Sequence, residues 1–243
     1  MEERKTMGSN DIIEAYKNGR RDFSNLRLIG TDLRNLNLSG TIWKNCELVF
    51  VGFSDSNMTD AEFSDSKIEY CGFIRSKLKE TKFINCYIYC GLFIDTNFEK
   101  TEFPSCEIRA AVLFGSNFGS ADFSKSKSFQ RFISWSEVDA NTFDNLLKEA
   151  QNAISFWAPH MNPARLMFIK SRFESTQQQF AGIQQKVYEL TKRGMSTEAA
   201  YKQITFEVGK FLNTIYSENI ESDYTSKREY GPKGEKGSGV RYR

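Results

Sequence analysis

From Phe23 to Phe123 every fifth residue is large and apolar, running Phe23, Leu28, Leu33, Leu38, Trp43, Leu48 and Phe53 through Phe103, Ile108, Leu113, Phe118 and Phe123. From Leu33 onward, the residue two before each large one belongs to a second register, Thr31, Thr41 and Cys46 through Ser116 and Ala121, in which only Leu36 is not small. A period of five matches neither the 3.6 of an α-helix nor the 2.0 of an ordinary strand. The two registers lie two residues apart, so they share one side of an extended stretch. The positions between them face outward or turn the chain. A short extended piece followed by a corner, repeated without insertion, winds the chain into a solenoid.

Every twentieth residue gives Phe23, Trp43, Phe63, Phe83, Phe103 and Phe123, all aromatic, and then Leu28, Leu48, Ile68, Ile88 and Ile108, all aliphatic. An outward column reads Asn37, Asn57, Lys77, Asn97 and Asn117, in which stacked amides form a ladder. Four pentads per coil is the simplest reading, and about five coils at ~4.8 Å make a prism on the order of 25 Å long. Open strand edges need covering. Asp11 with Glu14, the apolar Ile12, Ile13 and Tyr16, and Gly19 as a stop predict a short helix that caps the first coil.

The phrases SDSNMTDAEFSDSK and FGSNFGSADFSKSK resemble the pentapeptide repeat family, over Phe23 to about Lys127. The resemblance implies a right-handed quadrilateral β-helix with the large and small residues pointing into its shaft. The sequence departs from the family pattern just before the large residue, where Glu, Lys, Gly, Tyr, Leu and Val stand beside the usual Asp or Asn. The fold class expected is therefore a β solenoid plus α.

After Lys127 the five-residue period stops. Phe143, Leu146, Leu147, Ala150, Ile154 and Trp157 fit one helical face, which Pro159 ends. Asn162 before Pro163 reads as an N-cap with proline at the first helical position. Leu166, Ile169, Phe173, Thr176, Phe180, Ile183, Val187 and Leu190 then alternate spacings of three and four. Lys192, Arg193 and Gly194 stop that helix, Ser196 restarts one, and Tyr201, Ile204, Val208, Phe211 and Ile215 continue the alternation. The expected organisation is a capping helix over 1–22, the β-helix over 23–127, a helical region with a long antiparallel hairpin over 128–221, and a polar basic tail over 222–243 that is expected to be disordered.

Charge and composition narrow the function without naming it. The chain carries 33 Lys+Arg and 31 Asp+Glu, for a net charge of +2. The repeat region holds twelve basic and thirteen acidic residues, whereas a duplex mimic needs acidic rows, and direct nucleic-acid binding is not expected. No apolar run approaches the ~20 residues of a membrane helix. The charged amino terminus carries no secretory signal, so a cytoplasmic, reducing setting with five free thiols is the expectation. His160 is the only histidine and lies in a loop between helices. Cys86 and Cys106 share a column, and Cys90, outside both inward registers, is the thiol expected to react. No metal, cofactor or catalytic residue is expected.

One side of the prism turns apolar in the later coils. Ile74, Ile94 and Phe114 follow the large residue there, Leu92 and Val112 precede it, and the neighbouring corner adds Phe50 and Tyr70. A contiguous stripe of this kind reads either as a docking surface for a partner or as a face covered by the chain's own helices, with Phe143 to Trp157 folded back. In the tail, Lys227, Arg228, Tyr230, Lys233, Lys236, Arg241, Tyr242 and Arg243 are candidate contacts to an anionic or aromatic-lined surface. The function expected is a non-catalytic scaffold or adaptor for other proteins, with self-association through the hairpin of residues 163–217. The family resemblance supplies a first alternative, a DNA-mimicking protector of a type II topoisomerase such as gyrase. The basic tail supplies a second, a translocated effector.

Overall fold

The computed structural model describes residues 4–113, 116–132, 140–197, 199–200 and 203. Strands pair in parallel with partners twenty residues away, as in Trp43 beside Phe63 and Ile68 beside Ile88. One sheet stacks β1 (Arg27–Ile29), β3 (Glu47–Val49), β5 (Lys67–Glu69), β7 (Tyr87–Tyr89), β8 (Glu107–Val112) and β9 (Ser128–Phe132). A second stacks β2 (Ile42–Lys44), β4 (Glu62–Ser64) and β6 (Lys82–Ile84). The other two sides are columns of single bridges, Asp32 to Gly52, Gly72, Leu92 and Val112, and Asn37 to Asn57, Lys77 and Asn97. The coil is four-sided, with one pentad to a side.

The corners are backbone events. Every fifth residue from Asn25 to Ala110 has φ between +50° and +64°. This left-handed conformation costs a non-glycine residue roughly 1–2 kcal/mol, and Asn and Asp tolerate it best. Inside, the large register forms two columns of aromatic rings. Phe63, Phe83 and Phe103 follow at 4.9 and 4.8 Å, Phe53, Phe73 and Phe93 at 5.0 and 4.9 Å, and the columns meet edge-on at 6.0 to 6.3 Å. Rings one coil apart must lie near the strand spacing of ~4.8 Å, which forces parallel stacking within a column and leaves edge contacts between columns.

The first coil is covered. Helix α1 (Ser9–Lys17) buries Ile12 in the core, with Met7, Ala15 and Tyr16 packed beside it. Its start differs from the expectation, because Gly8 is the N-cap and the Asp11 carboxylate accepts from the Gly8 N–H at 2.9 Å. Asp11 therefore closes the first turn from its third position. At the other end β9 continues the larger sheet past Lys127, after a register shift between Ile108 and Ala111. The ladder outlasts the five-residue period because pairing needs an extended backbone and not the inward registers.

Helix α2 (Ala140–Trp157) follows, then a short 3₁₀ turn over Ala158–His160, then α3 (Pro163–Lys192). Asn162 caps α3, its side-chain oxygen accepting from the Ala164 N–H at 2.9 Å, with Pro163 at the first position. Gly194 takes φ +90° after Arg193, and the Met195 N–H returns to the Leu190 carbonyl at 3.2 Å. A helical turn restarts at Ser196, whose carbonyl accepts from Ala200. Ile183 and Val187 of α3 are buried against Ala200, which is the start of the expected hairpin. Its second arm beyond residue 203 lies outside the described residues.

Candidate interaction surface

The small register supplies donors as well as space. The side chains of Ser56, Ser66, Ser76, Thr81, Thr96 and Thr101 each donate to the carbonyl 23 residues earlier, from Ser56 to Leu33 at 2.7 Å through Thr101 to Leu78 at 2.6 Å. Cys46, Cys71, Cys86 and Cys106 do the same through sulfur, at 2.9 to 3.4 Å. Each such bond ties one coil to the one before it inside the shaft. Outside, Asn57 donates to Asn37 at 3.2 Å and Asn117 to Asn97 at 2.9 Å, as the amide column predicts. A corner every five residues, a ladder every twenty and inward donors at 23 leave one description. The described repeat region is a four-sided solenoid of five-residue repeats.

A family model described as the SV2A/B/C luminal domain matches residues 21–114. A comparison with curated proteins found no match. Among solved structures the chain is similar to HetL, a pentapeptide repeat protein involved in heterocyst differentiation regulation in the cyanobacterium Nostoc sp. strain PCC 7120. That match has 18% identity and a TM-score of 0.30, and covers 51% of this chain and 57% of HetL. The chain thus spans little more than half of HetL's length. It is also similar to QnrB1, a plasmid-mediated fluoroquinolone resistance protein, at 13% identity and a TM-score of 0.29, covering 46% of this chain and 72% of that one. A pentapeptide repeat protein of the Arabidopsis thaliana thylakoid lumen matches at 17% identity and a TM-score of 0.28, covering 48% and 77%. The chain's own geometry, and not these matches, defines the pentapeptide-repeat coil.

The apolar stripe of the pentapeptide-repeat prism is not open to solvent. Ile74 is 1% exposed and Ile94 6%, and Leu92, Val112, Phe50 and Tyr70 are partly buried. Phe114 lies outside the described residues. The segment that opens α3 packs on this side at the first two coils. A side chain added at Gly30 would come within 3.3 Å of Met161 and 3.2 Å of Arg165, and one added at Gly52 within 3.2 Å of Arg165. Glycine at both positions lets the start of α3 approach the first two coils closely. Burial pushes the Tyr70 hydroxyl up, and Cys90 and the α2 residue Glu149 push it further. The 18 residues of α2 span about 27 Å at 1.5 Å each. That length is close to the prism's, and Glu149 of α2 acts on Tyr70 of the third coil while Met161, just past α2, meets Gly30 of the first. The left-handed corners Phe50, Tyr70, Cys90 and Ala110 form one column on this side. Phe50 and Tyr70 stack there at 4.9 Å.

Three charges seal the start of α3. Arg34 pairs with Asp32 through two nitrogens, each at 2.7 Å, and the Arg34 and Arg165 guanidinium groups lie 5.3 and 4.9 Å from the Phe168 ring centre. Burial raises the Asp32 carboxyl, but Arg34 and Arg165 outweigh it and hold it below the ordinary value. Burial pushes the Arg165 guanidinium down against the pull of Asp32, and its buried Nε makes no hydrogen bond. Arg165 was not legible as an interface residue in the sequence, since a lone arginine in a helix carries no periodic signal.

Cys90 departs from the expectation. Burial, with Glu69 nearby, pushes its thiol up to about 12, so the nucleophilic thiolate is scarce. Cys86 and Cys106 are free and buried, the Cys86 N–H donating to Cys106 Sγ at 3.4 Å. Their contact and burial push the Cys86 thiol up. His160 packs edge-on to Trp157 at 5.8 Å. No group of three or more His, Cys, Asp or Glu among the described residues is placed to hold a metal. None of the described helices is long and apolar enough to cross a membrane. The tail candidates Lys227, Arg228, Tyr230, Lys233, Lys236, Arg241, Tyr242 and Arg243 lie outside the described residues.

Four of the surface ion pairs join neighbouring coils. Arg27 pairs with Glu47, Arg75 with Asp55, Lys79 with Glu99 and Lys100 with Glu80, each pair twenty residues apart. No outward column of the prism is acidic throughout.

Proposed function

We propose that this chain is a non-catalytic scaffold that binds other proteins through its helical region while the solenoid holds that region rigid. The observation that supports this most directly is the distribution of exposed apolar side chains. Phe156 is 70% exposed, Met167 71% and Tyr188 55%, all on the helices, whereas the described solenoid exposes only Ile42 among large apolar residues. Helix α3 is 30 residues long, about 45 Å at 1.5 Å per residue, and so exceeds the prism. Pro163, Leu166, Met167, Lys170, Ser171 and Glu174 line a shallow groove along its first half. A rigid body carrying a longer, partly apolar helix suits an adaptor, because the anchor removes the entropy cost of presenting the helix.

A photo-crosslinking residue at Met167, compared with one at the exposed Ser124 of the last coil, tests this reading in native cells. Discrete protein adducts from Met167 and none from Ser124 are expected. Equal labelling at both positions, or none at either, overturns it.

A further inference from the structure

The outer face of the larger sheet carries a pattern that is its own complement. In β5, β7 and β8 the outward residues form two columns, Lys67, Tyr87 and Glu107 in one and Glu69, Tyr89 and Arg109 in the other, in register. Within each strand the two outward side chains meet. Lys67 pairs with Glu69 at 2.8 Å, Arg109 with Glu107 at 2.5 Å, and the Tyr87 and Tyr89 rings lie 6.4 Å apart at an interplanar angle of 17°. The three coils therefore read positive–negative, tyrosine–tyrosine, negative–positive.

Face-to-face contact of two copies requires a two-fold axis in the plane between them. An axis along the solenoid sets Lys67 against Glu69 of the other copy, Tyr87 against Tyr89, and Glu107 against Arg109. An axis along the strands sets Lys67 against Glu107, Glu69 against Arg109, and each tyrosine against itself. In both cases every charge meets its opposite around four tyrosines. A different protein would need the same checkerboard to match it, and this chain already carries one. Neighbouring coils do not continue it, since Ile29 and Val49 stand in the second column. Tyrosine and arginine are the side chains that concentrate binding energy at interfaces, and Lys67 and Arg109 are exposed.

We propose that this face is the isologous contact through which two copies of the chain associate, centred on Tyr87 and Tyr89. It goes beyond the scaffold reading, which concerns other proteins and the helices. Three coils cover far less than the ~800 Å² per partner of a standard interface, so the dimer is weak and salt-sensitive.

Sedimentation equilibrium of the full chain up to about 1 mM, in low salt and in roughly 0.5 M salt, tests it. Reversible dimerisation that salt weakens is expected. Lys67→Glu with Arg109→Glu makes all four charges acidic and is expected to weaken association at least tenfold. Glu69→Lys with Glu107→Lys makes all four basic and is expected to do the same. Mixing the two variants is expected to restore a heterodimer, which neither altered folding nor association through the helical hairpin would produce. Exchange of one pair, Lys67→Glu with Glu69→Lys, retains the dimer if the axis follows the solenoid and abolishes it if the axis follows the strands. A wild-type chain that stays monomeric throughout, or a dimer that the four-acid variant leaves intact, overturns the proposal.

Discussion

The Thr81 hydroxyl donates to the Met58 carbonyl at 2.8 Å, one coil and three residues earlier in the chain. The bond is buried and inter-coil, and the same carbonyl also accepts from the Ala61 N–H at 3.0 Å. Thr81→Val keeps the shape and removes the donor while Met58 keeps its turn bond. The expected loss is about 1 kcal/mol, the net worth of one neutral hydrogen bond. Urea denaturation measures it, and Thr101→Val, which loses the matching bond to Leu78, is expected to fall in the same range.

The two faces of a pentad differ far more in energy than in appearance. Phe83 stacks between Phe63 and Phe103 and is completely buried. Phe83→Ala is expected to cost roughly 3–5 kcal/mol through lost burial and a residual cavity. Asn57→Ala, which loses an outer amide rung and its bonds to Thr59, is expected to cost much less. Similar midpoints for the two variants would contradict the register.

The coil was legible in the sequence because its two inward registers obey hard constraints of volume and depth. Phe83 and Thr81 cannot exchange places without opening a void or a clash. The corners carried a readable signal too, in Asn25, Asn35, Asn45, Asp55, Asp60, Asp65, Asn85 and Asp95, but it stands two residues after the large residue, outside both inward registers. The caps of α3 were legible because Asn162, Pro163 and Gly194 each act locally. The covered side was legible only as two options. Ile74 and Ile94 show the same apolar side chain whether a partner or the chain's own α2 lies over them, and the choice depends on contacts such as Met161 against Gly30 that have no periodicity. The donor role of the small register was missed because Ala61, Gly91 and Ala111 occupy it without donors, so space alone explained the pattern.

Lys100 occupies a left-handed corner with φ +56°, and its ammonium meets Glu80 at 3.2 Å on the surface. A surface pair of this kind contributes little, whereas the left-handed backbone penalises any side chain. Lys100→Gly is therefore expected to stabilise the chain by ~0.5 kcal/mol, after the greater freedom of glycine in the unfolded state is offset. A drop in the thermal midpoint would show the ion pair to outweigh the backbone.

The contact between the start of α3 and the prism is expected to loosen in acid. Burial raises the Asp32 carboxyl, and Arg34 and Arg165 more than reverse this, so its folded value lies below its unfolded one. A depressed carboxylate contributes stability above its unfolded pKa of ~3.9, and that contribution is lost as the pH falls through the lower folded value. Stability measured from pH 6 to pH 2 is expected to decline below about pH 4. Asp32→Asn is expected to lower stability at pH 6 and flatten part of that decline. An unchanged acid limb would remove Asp32 from the contact.

Ile94 and Met167 separate the covered face from the open one. Ile94 is 6% exposed on the side where the helices lie, and Met167 is 71% exposed on α3. Ile94→Glu places a carboxylate among Ile74, Leu92 and the covering chain, where it must either stay ionised without a partner or take up a proton. The expected loss is about 3 kcal/mol or more, with protease cleavage appearing in α2 as the helix lifts from the prism. Met167→Glu faces water and is expected to change stability by less than ~0.5 kcal/mol. The scaffold reading assigns it a different consequence, the loss of the protein adducts formed at that position. If Ile94→Glu left both stability and protease resistance unchanged, α2 would not be covering the stripe, and Ile74 and Ile94 would again be candidates for a partner's contact.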